Sequence, residues 1–193
     1  SAIASDVREG PLSRARATAR ACGCFERMSF RLCDGLSGIA PEEVDALVIA
    51  GMGGETIANI LEAAPWVKEK DFPIILQPMS TQAELRGWLW RNGFLCLREK
   101  TVFEGETLYS IILARQGGAV PMTPAEEWAG RQYPGMEDPL RGLLLDHLLG
   151  RVRRALDGMA RSRAPAEARR RELEQVLEGL MEMRKEWDAW QQR

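Results

Sequence analysis

The first 115 residues alternate between short apolar runs and longer segments with one apolar face. Four runs of four or five residues end at aspartate, glycine or proline, which predicts strands at 1–5 and 30–33 and buried strands at 46–50 and 73–77. The helical spacing of apolar positions predicts a helix opened by Gly10-Pro11 and further helices over 56–64 and 81–91. Two longer runs, 94–103 and 107–114, flank Gly105 and predict an antiparallel hairpin. This order predicts an α/β fold with a mostly parallel sheet and an antiparallel edge.

Residues 138–193 carry a different pattern, with a period of seven. Asp138-Pro139 is a helix start. The apolar positions that follow it are Leu145, Leu148, Leu149, Val152, Leu156 and Met159. A second series, after Ser162 and Pro165, comprises Leu173, Val176, Leu180, Met183, Trp187 and Trp190. Two heptad helices joined by a short turn predict an antiparallel coiled-coil hairpin. The predicted organisation is an α/β domain at 1–117, a linker at 118–137 and the helical hairpin at 138–193.

Composition narrows the class of protein. The chain has 193 residues, of which 45% are hydrophobic and 28% charged, as in ordinary globular proteins. No apolar run approaches the roughly 20 residues that span a bilayer, and the opening lacks the basic start of a secretory leader. The four cysteines do not have zinc-site spacing, and Cys33 and Cys96 fall in predicted strands as small core residues. His147, the one histidine, lies in a leucine-rich helix, where packing or exposure is expected. We therefore expect a reduced, cytoplasmic, monomeric protein without a metal or a membrane partner.

Positive charge is concentrated in one part of the hairpin. The net charge of −2 hides it, because residues 1–130 hold 13 basic and 17 acidic side chains, whereas residues 131–193 hold 13 and 11. The segment 151–171 holds two acidic residues, Asp157 and Glu167, and eight arginines: Arg151, Arg153, Arg154, Arg161, Arg163, Arg169, Arg170 and Arg171. Clustered arginines suit phosphate contacts, so this segment predicts salt-sensitive RNA binding; a solvated helical tip is the alternative.

Three of the predicted strands end in residues that suit a nucleotide-like ligand. Asp6 and Asp34 follow two of them, and Gly51, Gly53 and Gly54 follow the third. If these strands are parallel, their carboxyl ends share one edge, where α/β sheets bind ligands. An acid there can accept ribose hydroxyls, a second can accept an adenine amino group, and bare backbone can pass under a methionine chain. The set suits S-adenosylmethionine, with helix-capping aspartates and a tight turn without a ligand as the alternatives.

A nicotinamide dinucleotide fits the glycine segment less well. Residues 51–56 come near the G-x-G-x-x-G pattern, but the last position is Thr56. The acid expected about 20 residues further on is replaced by Gln77-Pro78. The sequence also lacks a phosphate-loop lysine, a G-x-S-x-G elbow and a His-based triad.

The residues at these strand ends resemble those of the TrmK family, bacterial methyltransferases that use S-adenosylmethionine to methylate N1 of adenine 22 in tRNA. The matching stretches are Ala4-Ser-Asp-Val-Arg-Glu-Gly-Pro-Leu12, Cys33-Asp-Gly-Leu36, Ile49-Ala-Gly-Met-Gly-Gly54, Ile75-Leu-Gln-Pro78, Leu85-Arg-Gly-Trp-Leu89 and Glu104-Gly-Glu-Thr-Leu-Tyr109. They extend over most of residues 1–115, and the helical hairpin is also similar to the family. The resemblance implies a class I, Rossmann-like methyltransferase sheet, S-adenosyl-L-methionine as cofactor and tRNA as partner.

The resemblance also implies roles for particular residues. Asp6 would hold the ribose, Asp34 and Gly35 the adenine, and the methionine side of the cofactor would lie on Ala50, Gly51, Met52 and Gly53. Family members carry a first strand and a glycine-containing loop, with an Asp-His pair, ahead of the residues that match Ser1 onward. We therefore expect the methyltransferase domain at 1–117 to be N-terminally truncated, without its first strand, to bind the cofactor weakly and to leave the catalytic acid unassigned.

The polarity of the glycine segment indicates the acceptor atom. Adenine N1 has an in-plane lone pair and needs no base, so positioning carries most of the rate. Residues 50–53 offer no polar side chain to bond the exocyclic amine, which favours N1 over N6. We expect Gln77 either to touch the target base or to satisfy backbone at its strand end, and Arg169, Arg170 and Arg171 to contact tRNA. Two alternatives stay open: a class I methyltransferase for another RNA or a small molecule, and a non-catalytic RNA-binding module.

Overall fold

The structure is a computed structural model that describes residues 1–161 and 167–192. Its strands are β1 (Ala2–Asp6), β2 (Met28–Leu32), β3 (Leu47–Gly53), β4 (Ile74–Ser80), β5 (Phe94–Glu104) and β6 (Thr107–Gln116). The helices of the α/β part are α1 (Glu9–Ala21), α2 (Gly54–Glu62) and α3 (Gln82–Arg91). The helices that follow are α4 (Pro124–Ala129), α5 (Arg141–Ala160) and α6 (Glu167–Gln191). The α/β class, the strand–helix alternation and the closing β-hairpin are confirmed, and α4 lies within the segment predicted as linker.

The strands form two sheets. β1 and β2 pair in parallel, and the second sheet has the order β3-β4-β6-β5. In that sheet β3 and β4 are parallel, whereas β6 runs antiparallel to both β4 and β5. The parallel arrangement with an antiparallel edge is therefore as predicted. Between the described strands, no backbone pairing joins the two sheets.

Helices α2 and α3 cover one face of the larger sheet. Ile57 and Leu61 of α2 and Leu85 and Leu89 of α3 are fully buried. Leu47, Ile49, Ile74 and Leu76 of the sheet belong to the same core. Strand side chains alternate between faces, and on the other face Val48 is 64% exposed and Ile75 37% exposed. The strands predicted as buried, β3 and β4, are therefore buried on one face, because the described helices cover only that face.

Helix α1 packs on the smaller sheet through Leu12 and Ala19, which are 1% and 3% exposed. It begins at Glu9, so Pro11 stands in its first turn rather than at its first position. The helix ends at Ala21, and Cys22, which follows as its C-cap residue, is exposed.

The ends of β3 and β4 differ from the predicted boundaries. β3 continues to Gly53, so the predicted glycine loop is irregular strand, and β4 passes through Pro78 to Ser80. Met52 pairs with Pro78 and Gly53 with Ser80, with register shifts on both sides of Met52. Proline is tolerated at such a bulge because the regular backbone ladder is already interrupted there.

Helices α5 and α6 form the predicted hairpin. Its core contains Leu145, Leu148, Leu149, Val152, Leu173, Val176, Leu180, Met183 and Trp187, with Leu156, Met159 and Trp190 partly buried. Gly142, near the start of α5, lies against Trp187, near the end of α6, so the two helices are antiparallel. The connection at Ser162 and Pro165, together with Arg163, lies outside the described residues. Helix α4 packs on α6 so closely that a Cβ on Gly179 would lie 2.5 Å from the Cβ of Ala125.

A buried arginine attaches α4 to the α/β part. The side chain of Arg86 on α3 is 1% exposed, and its Nη2 donates to the Glu99 carboxylate of β5 at 2.7 Å. Its Nε lies 3.0 and 3.1 Å from the two Glu99 oxygens. Its Nη1 donates at 2.9 Å to the carbonyl oxygens of both Glu127 and Trp128. One guanidinium thus joins α3, β5 and α4.

A second set of buried contacts attaches α5. Arg141 donates to the carbonyl oxygens of Ala129 and Gly130, and burial lowers the pKa of its guanidinium to about 10. Asp138, which is 4% exposed, accepts from the hydroxyl of Thr101 on β5 at 2.7 Å. The predicted helix start at Asp138-Pro139 was wrong, because α5 begins at Arg141 with Leu140 as its N-cap residue. Asp138 instead anchors the hairpin to the edge strand of the sheet.

Candidate functional site

The two predicted carboxylates lie at neighbouring strand ends. β1 ends at Asp6, and the backbone N–H of Cys33, after β2, donates to the Asp6 carbonyl at 3.1 Å. The hydroxyl of Ser5 approaches the Gly35 carbonyl at 3.4 Å, a second link between the two turns. One oxygen of the Asp6 side chain accepts the N–H of Arg8 at 2.8 Å, which fixes the carboxylate at the edge. The structure therefore brings Asp6 and the Asp34 turn together.

The Asp34 turn borders the helix that follows the glycine segment. Gly35 has φ +53°, and a Cβ on it would lie 3.0 Å from the side chain of Ile60 on α2. Leu36, the next residue, belongs to the core under the larger sheet. Asp34 itself is exposed. The turn with Asp34 thus contacts α2, which begins at Gly54 directly after the predicted methionine site.

The glycine segment presents bare backbone at the end of β3. Ala50 and Gly51 are exposed, whereas Met52 and Gly53 are half-buried. Gly51 has φ +78°, a conformation that favours glycine, and no atom lies within 4 Å of the place that a Cβ would take. A ligand can therefore approach the Gly51 backbone closely from that side.

Gln77 holds the glycine segment. Its Oε1 accepts the backbone N–H of Gly51 at 3.0 Å, across the β3–β4 pair. Its Nε2 lies 3.3 Å from the carbonyl oxygen of Pro78. Of the two roles expected for Gln77, satisfying backbone at the strand end is the one that these contacts serve.

Sequence reasoning missed a contact between the two strand–helix corners. A Cβ on Gly54 would lie 2.2 Å from the carbonyl oxygen of Thr81, so this glycine is required for packing. The hydroxyl of Thr81 also accepts the N–H of Glu55 at 3.2 Å. A threonine that precedes a helix normally predicts a cap for that helix, so the sequence held no signal for this cross-strand role.

An ion pair next to the Asp34 turn connects the smaller sheet to the larger one. Arg31 of β2 pairs with Glu43, which lies in the segment before β3, and donates to the Gly38 carbonyl at 2.7 Å. The bonds from Arg31, and then the bond from the Ala40 N–H, lower the pKa of Glu43 to about 2. The hydrogen bond with Glu43 in turn raises the pKa of Arg31.

The arginines of the hairpin are partly neutralised by neighbours on the same helix. Arg169 pairs with Glu172 at 2.6 Å and Arg170 with Glu174 at 2.9 Å, and all four side chains are about half exposed. These glutamates lie just beyond the window 151–171 in which positive charge was counted. Arg171 donates to a backbone carbonyl at 3.4 Å, and Arg151 stacks over the ring of Trp128 at 5.5 Å.

The clefts on the surface do not border the candidate site. Two clefts of about 560 and 360 Å³ lie on the hairpin, and neither is lined by Asp6, Asp34 or Gly51. No group of three or more His, Cys, Asp or Glu side chains is placed to hold a metal ion within residues 1–161 and 167–192. In the same ranges, no helix is both long enough and apolar enough to pass through a bilayer.

Comparison with known proteins places the first part of the chain in a methyltransferase family. Residues 1–112 match the family model of a methyltransferase domain. The tRNA (adenine(22)-N(1))-methyltransferase of Bacillus subtilis is 34% identical over 116 residues, which are 60% of this chain and 49% of that protein. The chain thus spans about half the length of this curated relative.

Two solved structures are similar to this chain over most of its length. Sp1610 of Streptococcus pneumoniae, a candidate tRNA (m1A22) methyltransferase, is 27% identical with a TM-score of 0.79, and the match covers 95% of this chain and 82% of that one. Its complex with S-adenosyl-L-methionine matches with a TM-score of 0.78 at 27% identity, over 95% and 81% of the two chains. On these matches the chain belongs to the methyltransferase domain family, and its resemblance to the TrmK family is confirmed.

Proposed function

We propose that the protein represented by this chain transfers a methyl group from S-adenosyl-L-methionine to N1 of an adenine in tRNA, at position 22. The observation that carries the proposal is the arrangement at the strand ends: the Asp6 and Asp34 turns are bonded to each other, and the second borders the helix that follows the open Gly51 backbone. The names of the Bacillus subtilis and Streptococcus pneumoniae relatives support the substrate. A tRNA substrate and four free cysteines also support a cytoplasmic location.

The residues at the edge fit the parts of the cofactor. We assign the ribose to Asp6, because a carboxylate accepts two vicinal hydroxyls and one Asp6 oxygen is already oriented by the Arg8 N–H. Asp34 and Gly35 take the adenine, and residues 50–53 take the methionine side. The open space at Gly51 is the test of this fit, since a side chain there would occupy the path of the ligand. The cofactor supplies an electrophilic methyl group on its sulfonium.

The chain contributes position rather than proton transfer. Adenine N1 is nucleophilic without a base, so the residues around it must hold it in line with the methyl group. Residues 50–53 carry no polar side chain to accept from the exocyclic amine, and the Gln77 amide oxygen already accepts the N–H of Gly51. This supports N1 as the acceptor. The adenine must also leave its stack to reach the edge.

The hairpin supplies the contact with the tRNA backbone in this proposal. Exposed ion pairs contribute little to stability, so Arg169 and Arg170 can exchange their glutamate partners for phosphates at low cost. The buried contacts of Arg86 and Asp138 hold the hairpin on the α/β domain. A tRNA bound to the arginines is therefore held at a fixed place relative to the cofactor residues.

Methyl transfer to tRNA transcripts tests the function. The enzyme for this test is the chain with the first strand and glycine-containing loop of a TrmK relative fused ahead of Ser1. Incubated with labelled S-adenosyl-L-methionine, it should methylate a transcript with adenine 22, and reverse transcription should stop there because N1 methylation blocks pairing. The matched control is the same transcript with guanine at position 22, which should take up no label. Label without a stop at position 22 would contradict the assignment of the acceptor atom.

Calorimetric titration with S-adenosyl-L-methionine separates an enzyme from an RNA-binding module. One sample is this chain, and the other carries the first strand and glycine-containing loop of a TrmK relative fused ahead of Ser1. We expect weak binding by the chain and tighter binding by the fusion. Asp6→Asn in the fusion is the control and should weaken binding. If neither sample binds the cofactor while both bind tRNA, the protein is a non-catalytic RNA-binding module.

Charge variants test the interface with tRNA. Replacing Arg169, Arg170 and Arg171 by alanine should weaken tRNA binding and reduce its salt dependence by roughly one unit of log–log slope for each phosphate that is no longer neutralised. The matched control removes the competing carboxylates instead. Glu172→Gln with Glu174→Gln frees two of the arginines and should tighten binding. Equal affinity of all three proteins across several salt concentrations would remove this segment from the interface.

A further inference from the structure

Thr81 lies in a strained backbone conformation at the candidate site. With φ 49° and ψ 43°, it is left-handed, and no other described non-glycine residue has positive φ. A β-branched side chain is crowded in this region, whereas glycine adopts it without strain. Strain of this kind persists where the surrounding structure enforces it, often at a functional site. Threonine supplies here what glycine cannot, which is a hydroxyl group.

The Thr81 hydroxyl caps a helix to which Thr81 does not belong. Helix α2 has Gly53 as its N-cap residue, which has no side chain and makes no side-chain cap. The N–H of Glu55, in the first turn of α2, donates instead to Thr81 Oγ1 at 3.2 Å. First-turn N–H groups have no partner within their own helix, so this bond satisfies one of them.

The main chain of Thr81 makes the same junction tight. Its carbonyl oxygen accepts the N–H of Leu85 at 3.2 Å, in the first turn of α3, and would lie 2.2 Å from a Cβ on Gly54. We call Gly54, Glu55 and Thr81 the corner clasp. Through these three residues, the end of β3 with the start of α2 is joined to the end of β4 with the start of α3.

We propose that Thr81 is a positioning residue for methyl transfer, which sets the distance between residues 51–53 and residues 77–80 through the corner clasp. This inference rests on the function proposed above, in which the methionine side of the cofactor lies on the first of these segments. The acceptor base must lie in line with the methyl group, and a misplacement of about 1 Å can lower a rate about 100-fold. The ribose and adenine contacts of Asp6 and Asp34 lie on other strands. Opening the clasp therefore lowers kcat more than it changes KM for the cofactor.

Three substitutions of Thr81 separate the effect of its hydroxyl group from the effect of its backbone strain. Thr81→Ser keeps the hydroxyl, Thr81→Val keeps the shape and removes the hydroxyl, and Thr81→Gly removes both hydroxyl and strain. We expect the serine variant to retain wild-type kcat, and the valine and glycine variants to show kcat about tenfold lower with KM changed less than about twofold, which is the worth of one well-placed hydrogen bond. The glycine variant should melt within a few degrees of wild type, so its lower kcat cannot come from unfolding.

Hydrogen exchange makes the clasp testable apart from catalysis. The Glu55 amide should exchange several-fold faster in Thr81→Val than in wild type or Thr81→Ser, with the exchange of the Ile57 amide as the internal control. Unchanged kcat in the valine and glycine variants overturns the positioning role. The kinetics are measured in the fusion that carries the upstream strand and loop; if the fusion with Thr81 intact transfers no methyl group, the proposed function fails, and exchange alone then decides the clasp. Equal Glu55 exchange in all variants overturns it.

Discussion

Replacing Glu99 by alanine should destabilise the protein strongly, because it leaves the Arg86 guanidinium buried without a counter-ion. Arg86 is 1% exposed and Glu99 11% exposed, and three donor–acceptor distances of 2.7 to 3.1 Å join them. The two carbonyl oxygens that Nη1 contacts satisfy hydrogen bonding but carry no full charge. Breaking a buried pair in this way costs about 3 to 5 kcal/mol.

The size of the effect can be checked against the total stability. A domain is stable by about 5 to 15 kcal/mol, so the decrease is a large share of it. The variant should shift the midpoint of urea unfolding down by more than about 1 M. Because Arg86 also holds the carbonyl groups of Glu127 and Trp128, attachment of α4 weakens with it. Circular dichroism and tryptophan fluorescence should then report different midpoints, whereas in wild type we expect the two midpoints to coincide.

Two controls isolate the buried pair. Glu182→Ala removes an exposed pair with Lys185 at 3.7 Å, and it should cost less than about 0.5 kcal/mol. The double variant Arg86→Met with Glu99→Leu removes both charges and should recover much of the stability that Glu99→Ala removes. The reasoning is refuted if Glu99→Ala costs less than about 1 kcal/mol, or no more than Glu182→Ala.

Three further measurements test other parts of the structure. The folded-state pKa of Glu43 is about 2 and the ordinary pKa of a glutamate is 4.5, so its contribution to stability is full above pH 4.5 and is lost as pH falls toward 2. In Glu43→Gln, urea midpoints at pH 3 and pH 6 should differ less than in wild type; an equal difference contradicts the pairing with Arg31. Gln77→Leu removes the acceptor of the Gly51 N–H and should speed exchange of that amide several-fold, whereas Gln77→Glu should not. Burial raises the pKa of Cys96 to about 12, so iodoacetamide at pH 8 should label the exposed Cys22 and leave Cys96 unmodified until the protein unfolds.

The strand-end positions of the candidate site residues were readable from residue order. Asp6, Asp34 and the glycines each close an apolar run, and parallel pairing of β1 with β2 and of β3 with β4 places them at strand ends. Predicted boundaries failed where two strands interact, because Pro78 could be recognised as part of a bulge only from its pairing with Met52. Gln77 left two roles open in the sequence, and its bond to Gly51 supports one of them. The cofactor and tRNA contacts of these residues stay predictions.

The spacing of apolar residues, and the glycine and proline residues that separate the runs, by themselves determined the α/β alternation, the closing β-hairpin and the heptad core from Leu145 to Trp187. These are local patterns, since each depends on neighbours within a few residues. Tertiary structure alone decided how the parts are joined. Thr81 meets Glu55 across 26 positions, Asp138 meets Thr101 across 37, and Arg86 meets Trp128 across 42. A sequence shows which groups can form hydrogen bonds, but the partner of a buried polar group is chosen by the packing that brings distant segments together.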